Sequence, residues 1–520
     1  MLKLAPIFGD NMVLQRNKEN YIWGEGVDGE AVEIEFLRRT YIADVEDGKW
    51  RIKLAAIDAG GPYTMDITCK EEKIHIQNIL IGEVWFAGGQ SNMELELQNS
   101  DDGKAISAQV NRESIRFFNV PKLSYIDDNF EKEYEKTGWQ LMKGSVCDTM
   151  SAVAFYFANK LCDALRVPIG IIDCYWGGTS ALCWMSEEMV RTEPGAFATF
   201  MDFQKIIDSK SDEEYEAELE AFNKEVKEWD AKADVLRAEK PDIQWGELCE
   251  KLGNNPWEPP MGKKSPYRPC GLYETMVKQV APYGLRGFIY YQGESDEGRS
   301  RFYGKLNSMV IKQWREVFED EDLDFYLTQL PMYIADGAED DKNWCILREQ
   351  QKQVTKDNKR THMAVIIDCG EYDNLHPTDK TIPGERLALQ VLGKTYGRIK
   401  QYDAMGIENV EYQDGKMIVH FHSTYGGIHL WRYADRMTEE NKAVVGWKER
   451  REKPEKLYGF EISGDGENYV EAQGEIISDE AIALWSPEIE NPIHVRYAWS
   501  NFCVTNVYNN ADLPLVPFSI

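Results

Sequence analysis

The sequence predicts an α/β protein, with a mainly parallel sheet flanked by helices and set between two β-rich domains. Two observations carry this. After about residue 79, strand-like apolar runs alternate with helical ones, a pattern that builds a parallel sheet covered on both faces. Before that point, and again from about residue 405, short alternating runs are broken by Asp-Gly and Gly-Gly turns, the mark of antiparallel β structure. A chain of 520 residues has room for about three domains. The expected division is a β-sandwich domain over 1–78, an α/β domain over 79–404 with a helical insertion at about 190–265, and a β-rich, sandwich-like domain over 405–520.

The elements follow in order. NMVLQ, NYIWGEG, AVEIEFL, TYIADVE, WRIKLAA and YTMDITC read as strands, punctuated by Asp28-Gly29, Asp47-Gly48 and Gly60-Gly61-Pro62. No cluster of ionisable residues stands among them. EVWFAG then opens the alternating region. SAVAFYFANKLCDALR leads into VPIGIIDCYW, YETMVKQVAPYG into LRGFIYYQGESD, and RFYGKLNSMVIKQWREVFED into DFYLTQLPMY. WCILREQQKQVTKD leads into HMAVIIDCGEYDNLHP, and PGERLALQVLGKTYG closes the series. Residues 210–240 are charged and helical and read as a solvated surface helix, followed by the Pro-rich return NNPWEPPMGKKSPYRP. From residue 405, Asp414-Gly415 and Gly464-Asp465-Gly466 mark hairpins between strands.

Composition excludes some functions. The net charge is -30, from 59 basic and 89 acidic residues, which argues against nucleic-acid and anionic-membrane partners. No stretch approaches the ~18 apolar residues of a membrane helix. The N-terminus lacks the pattern of a signal peptide, so a cytoplasmic location is expected. Ten scattered cysteines without a C-x-x-C, several in apolar runs (Cys162, Cys174, Cys345), read as buried free thiols.

In a parallel sheet the chemistry lies at the C-terminal ends of the strands. Four polar or glycine-rich loops follow such ends: GGQSN, YWGGTS, YYQGESD and EYDNLHPTDK. Ser91 is the candidate nucleophile, and needs a base. It also fits the S-x-x-E capping box with Glu94, and on Ser91 alone the two readings stand level. His376 is the candidate base. Asp373, three residues earlier, has the spacing to reach Nδ1 and fix the tautomer. Gly177, Gly178 and the Gln292 amide are candidate oxyanion donors; each motif alone also reads as an ordinary turn or a loop polar group. Glu294 and Asp296 would suit glycoside hydrolysis, a reading that leaves the serine and histidine unused. Asp368, Glu371, Asp373 and His376 could hold a hard cation, although nothing demands one.

These motifs resemble the sialate O-acetylesterase family, within the SGNH-type (GDSL-like) esterases. The resemblance begins at FGDNMVLQR and DGKW. It continues through GEVWFAGGQSNMELEL, WGGTSALCW and RPCGLYETMVKQVAPYGLRGFIYYQGESD to HPTDKTIPGERLAL, VRYAW and NVYNNADLP. It implies a flavodoxin-like catalytic core and a serine esterase that removes O-acetyl groups from mono- or oligosaccharides, without a cofactor or metal. Ser91 would be the nucleophile, His376 the base and Asp373 its orienting acid. The oxyanion would meet the Ser91 N–H, a glycine N–H of Trp176-Gly177-Gly178, and Gln292, which stands where the wider superfamily has asparagine. Gln90, Trp176, Glu294, Glu274 and Arg268 are the expected substrate contacts, with Glu274 replacing an expected asparagine on the sugar-binding rim. Tyr175, Trp176 and Trp257 are candidates for stacking on a sugar ring, and Arg268 or Arg299 for pairing with a sialic acid carboxylate. Plant-derived xylo-, xyloglucan- or manno-oligosaccharides are the alternative substrates. A non-catalytic carbohydrate-binding protein is the alternative of another class, and a homo-oligomer stays open.

Overall fold

The computed structural model describes residues 1–520 except 241, 242, 244, 434–450 and 453–455. The N-terminal region contributes β1 (Lys3–Leu4), β2 (Val13–Gln15), β3 (Asn20–Glu25), β4 (Ala31–Phe36), β5 (Arg39–Asp44), β6 (Lys49–Leu54) and β7 (Gly60–Cys69). Strands β1, β3 and β6 form one sheet, while β4, β5 and β7 join a second. Alternation decides which side chains meet. Ile22, Ile52 and Leu54 share one core with Val32, Ile34, Phe36 and Ile67.

The next strand, β8 (Glu72–Gly89), runs unbroken across the expected boundary at residue 78. Its first half pairs antiparallel with β7. Its second half, buried throughout, is parallel to β11 (Ile169–Tyr175) from Glu83 and to β12 (Gly287–Tyr291) from Trp85. The N-terminal sheet and the central sheet are therefore one mixed sheet. Gly60-Gly61-Pro62, expected as a break between strands, stands at the start of β7 instead.

The central sheet also contains β9 (Asn111–Asn119), β10 (Gln140–Lys143), β13 (Asp324–Thr328) and β14 (Thr361–Ala364), in the order β10-β9-β11-β8-β12-β13-β14. Only β10 is antiparallel to its neighbour in that row. Successive residues of β8 serve opposite faces, Phe86 in one core and Trp85 and Ala87 in the other. Helices cover both. One face buries α3 (Tyr303–Val317) through Leu306, Val310 and Trp314; the other buries α2 (Ala152–Leu165) and α5 (Thr381–Lys394) through Phe157, Leu161, Leu387 and Val391. Helix α4 (Asn343–Asp357) lies between β13 and β14 in the chain. Strand β8 is the switch point, since the chain goes to β9 and β11 on one side and later to β12 on the other. Such a point is where ligands bind in open α/β sheets.

The insertion contains helices Pro194–Asp208, Asp212–Glu239 and Trp245–Leu252. The long one starts with a capping box from Ser211 and Glu214. After residue 405, two four-stranded sheets share a core of Val419, Phe421, Ile482 and Leu484 against Phe460, Ile462, Val495 and Tyr497. Asp414-Gly415, both at positive φ, turn the hairpin between Gly406–Gln413 and Lys416–His422. That core includes Met332, Val365 and Ile367 of the α/β region, so the C-terminal sheets are docked on it. None of the ten cysteines forms a disulfide. No described helix is long and apolar enough to cross a membrane.

Candidate active site

Strand β8 ends at Gly89, whose φ of +141° and closeness to β12 require glycine: a Cβ there would lie 2.1 Å from the Tyr291 carbonyl oxygen. The Gln90 N–H then donates to that carbonyl, fixing the loop. Gln90 also ties it to the next one, its amide oxygen accepting from the Gly293 and Ser295 N–H groups at 3.2 Å each. The single-turn helix α1 (Ser91–Glu94) follows, with Gln90 in the capping position and no side-chain cap. Ser91 is thus inside the helix, and the expected capping box does not form. The Ser91 hydroxyl instead lies 2.8 Å from Nε2 of His376.

Glu94, released from capping, accepts from the Gly177 N–H and pairs with Lys122. This corrects one expectation: the Gly177 amide is occupied. Ser91 and Gly178 have N–H groups with no acceptor among the described hydrogen bonds. Gly177 packs on Ser91, its Cβ direction pointing at the Ser91 Cβ from 3.2 Å, and Ser91 and Gly178 line one cavity.

Gln292 departs from its expected role. It is 1% exposed, and its Nε2 donates to Asp296 Oδ2 at 2.7 Å and to the Thr179 carbonyl at 3.2 Å, while Oε1 accepts from Tyr303. Both amide hydrogens are spent inside the protein. Asp296 accepts from Ser180 Oγ, the Ala181 N–H and Gln292, so it locks the WGGTS loop to the QGESD loop. That also removes it from a paired-carboxylate mechanism.

Asp373 is the second correction. It lines the same cavity as His376. Its Oδ1, however, accepts from the Asp336 N–H at 2.9 Å, its own N–H donates to the Ile334 carbonyl, and its φ is +53°. No hydrogen bond joins it to His376 among those described. The left-handed backbone turns the carboxylate toward the 331–344 segment, which D-x-x-H spacing does not reveal. The His376 ring is open to the cavity, while surrounding protein and the Lys380 ammonium lower its pKa to about 4. Both causes favour the neutral imidazole that a base requires.

Beneath α1 lies a cluster that sequence reasoning missed. Asn92, 1% exposed, donates to Glu294 Oε1 at 2.5 Å and to the Leu375 carbonyl at 3.0 Å, and accepts from Lys380 Nζ. Asn92 thereby joins the serine helix, the QGESD loop and the histidine loop. Burial lowers the Lys380 pKa to about 8 against the opposing pull of Glu294, and raises that of Glu294. Lys380 lies four residues after His376, but a loop lysine reads as solvated in sequence.

The cavity holds about 720 Å³ and is walled by Gln90, Trp176, Gly178, Glu294, Tyr333 and His376 among others. Glu274 and Arg268 are elsewhere. Glu274 is exposed and pairs with Lys278 at 2.9 Å; Arg268 donates to the Ser124 carbonyl. Cys249, Asn254, Asn255, Trp257 and Tyr267 complete the wall from the insertion and its return loop. Asp368 is taken by Arg386 and Tyr508, and no metal-binding cluster of His, Cys, Asp or Glu occurs among the described residues.

No protein-family model matches the chain. Curated relatives named sialate O-acetylesterase do. The Mus musculus protein is 25% identical over 439 residues, covering 76% of this chain and 74% of its own. The Homo sapiens protein is 22% identical over 431 residues, covering 76% and 71%. The crystal structure of a carbohydrate acetylesterase from Xanthomonas citri matches 100% of this chain and 99% of its own, at 25% identity and a TM-score of 0.75. By sequence, then, this chain is similar to proteins named sialate O-acetylesterase, and by architecture to a carbohydrate acetylesterase.

Proposed function

We propose that the protein is a serine esterase that removes O-acetyl groups from carbohydrates, on an SGNH-type core. The observation that carries this is the Ser91 Oγ to His376 Nε2 contact of 2.8 Å, made at the switch point of the sheet and opening into a cavity. The relatives supply the substrate class.

His376 takes the Ser91 proton as Oγ attacks the acetyl carbonyl. The developing oxyanion is met by the N–H groups of Ser91 and Gly178, the two free amides of residues that line the cavity. His376 returns the proton to the departing sugar hydroxyl, leaving acetyl-Ser91. Water, deprotonated by the same imidazole, then attacks the acetyl carbon, the bond to Ser91 Oγ breaks as the imidazolium returns the proton to Oγ, and acetate leaves. Glu94, Glu294 and Asp373 line the cavity with the imidazole, and among the described hydrogen bonds none joins a carboxylate to its ring.

The test is acetate release from peracetylated sugars and 4-nitrophenyl acetate by wild type and Ser91→Ala. We expect the variant to keep its fold, shown by an unchanged circular dichroism spectrum, and to lose turnover on both substrates. Undiminished turnover in folded Ser91→Ala would overturn the mechanism. No turnover in wild type would favour a non-catalytic binding protein.

A further inference from the structure

We infer that the sugar this site takes is electrically neutral, and that Trp257, delivered by the insertion, is the platform on which it stacks. This rests on the acetylesterase reading above and adds its substrate class.

The first observation is charge. The cavity around Ser91 and His376 is lined by three carboxylates, Glu94, Glu294 and Asp373, and by no lysine or arginine among the described residues. The cations nearby are committed elsewhere. Lys122 pairs with Glu94, Arg299 with Asp296, and Lys380 is buried against Asn92. Arg268 donates to the Ser124 carbonyl and stays outside the cavity wall. An acidic sugar would bring its carboxylate to a wall that presents carboxylates and no lysine or arginine among the described residues, and like-charge juxtaposition disfavours binding. A neutral pyranose meets no such repulsion. Its hydroxyls find the amide side chains of Asn254 and Asn255 on the wall.

The second observation is the exposed indole. Trp257 is 62% exposed, unusual for so large an apolar side chain, yet it is held in place. Its ring meets Tyr267 edge-on at 5.7 Å. Its six-membered edge covers Gly178, where a Cβ would approach it to 2.5 Å. Trp257 therefore packs against Gly178, whose N–H is one of the two free amides, and lines the same cavity as Ser91. The apolar face of a neutral pyranose laid on that ring would put a ring acetyl group over Gly178 and Ser91. The residues 190–265 thus reach beyond a solvated surface helix, since the loop that closes them builds the roof of the site.

The experiment compares 9-O-acetyl-N-acetylneuraminic acid with acetylated xylotriose and acetylated mannotriose, using wild type, Trp257→Ala and Trp257→Phe, with 4-nitrophenyl acetate as the small control ester. Wild type should have a kcat/KM on at least one neutral oligosaccharide about 10-fold or more above that on the sialic acid ester. Trp257→Ala should raise KM for that oligosaccharide about 10-fold, a larger loss than it causes on 4-nitrophenyl acetate, which has no sugar ring to stack. Trp257→Phe should restore most of the loss. A sialic acid ester cleaved as well as the neutral ones overturns the charge argument. An unchanged KM in Trp257→Ala, or equal losses on oligosaccharide and control ester, overturns the platform. The catalytic reading fails separately, and only if Ser91→Ala stays active on 4-nitrophenyl acetate.

Discussion

The Ser91 hydroxyl and His376 Nε2 are 2.8 Å apart, and among the described residues no carboxylate is hydrogen-bonded to the imidazole. Where an aspartate does bond the imidazole, its conversion to asparagine costs about 10⁴ in kcat. Here Asp373 spends Oδ1 on the Asp336 amide. Asp373→Asn should therefore cost less than about 10-fold in kcat, whereas His376→Ala should cost about 10⁴ or more. Steady-state hydrolysis of 4-nitrophenyl acetate reads both. A 10⁴-fold loss in Asp373→Asn would mean that the loop rearranges into a bonded triad during turnover.

Much of this site was legible because strand ends are legible. GGQSN and DNLH each follow an apolar run, and a parallel sheet brings such ends to one edge, so the sequence alone pairs Ser91 with His376. What spacing cannot show is where a polar group spends its hydrogen bonds. Gln292 and Asp296 sit in a loop that reads as exposed, yet they bond each other under the surface. Glu94 fits a capping box, but the Gly177 N–H and Lys122 compete for its carboxylate and win. The fold shows the same limit. The change of pattern near residue 79 is real, but β8 crosses it because one strand serves two sheets.

The pH profile should carry the mark of Lys380. His376 must be neutral to act as base, and its pKa is lowered first by desolvation and then by the Lys380 ammonium. Activity should therefore persist below pH ~6.5, the ordinary histidine value, before the acid limb falls. Lys380→Met removes the smaller of the two causes, so the limb should move toward higher pH without reaching the ordinary value. The dependence of kcat/KM on pH measures this, and a limb that stays put would assign the whole effect to desolvation.

Gly178 is constrained twice, by a φ of +76° and by the Trp257 and Tyr267 rings at 2.5 and 2.9 Å from a Cβ. Alanine there must adopt a strained backbone, at about 1–3 kcal/mol, and push the rings aside. Gly178→Ala should lower kcat/KM on every ester by about 10-fold or more, since the displaced amide is an oxyanion donor. The same change at Gly177, whose amide already serves Glu94, should leave kcat closer to wild type. Equal losses at the two positions would return Gly177 to the oxyanion hole.

The C-terminal sheets reach the site through Arg348. This side chain is fully buried on α4, and its guanidinium donates to the carbonyls of Pro331, Ala498, Ser500 and Asn501. Asn501 in turn accepts from the Tyr333 and Trp344 N–H groups and donates to Asp340. The segment so held, 331–344, carries the Ile334 carbonyl and Asp336 amide that anchor Asp373, three residues from the base. Arg348→Met leaves at least the Ala498 and Ser500 carbonyls short of a donor, at about 1–3 kcal/mol each. Urea unfolding should show a loss of about 2–5 kcal/mol. Arg348→Lys should recover only part of it, because one ammonium cannot span the fork of the guanidinium. If the C-terminal sheets steady the histidine loop through this chain of contacts, kcat should fall along with stability in both variants. Full activity at reduced stability would confine Arg348 to holding the domains together.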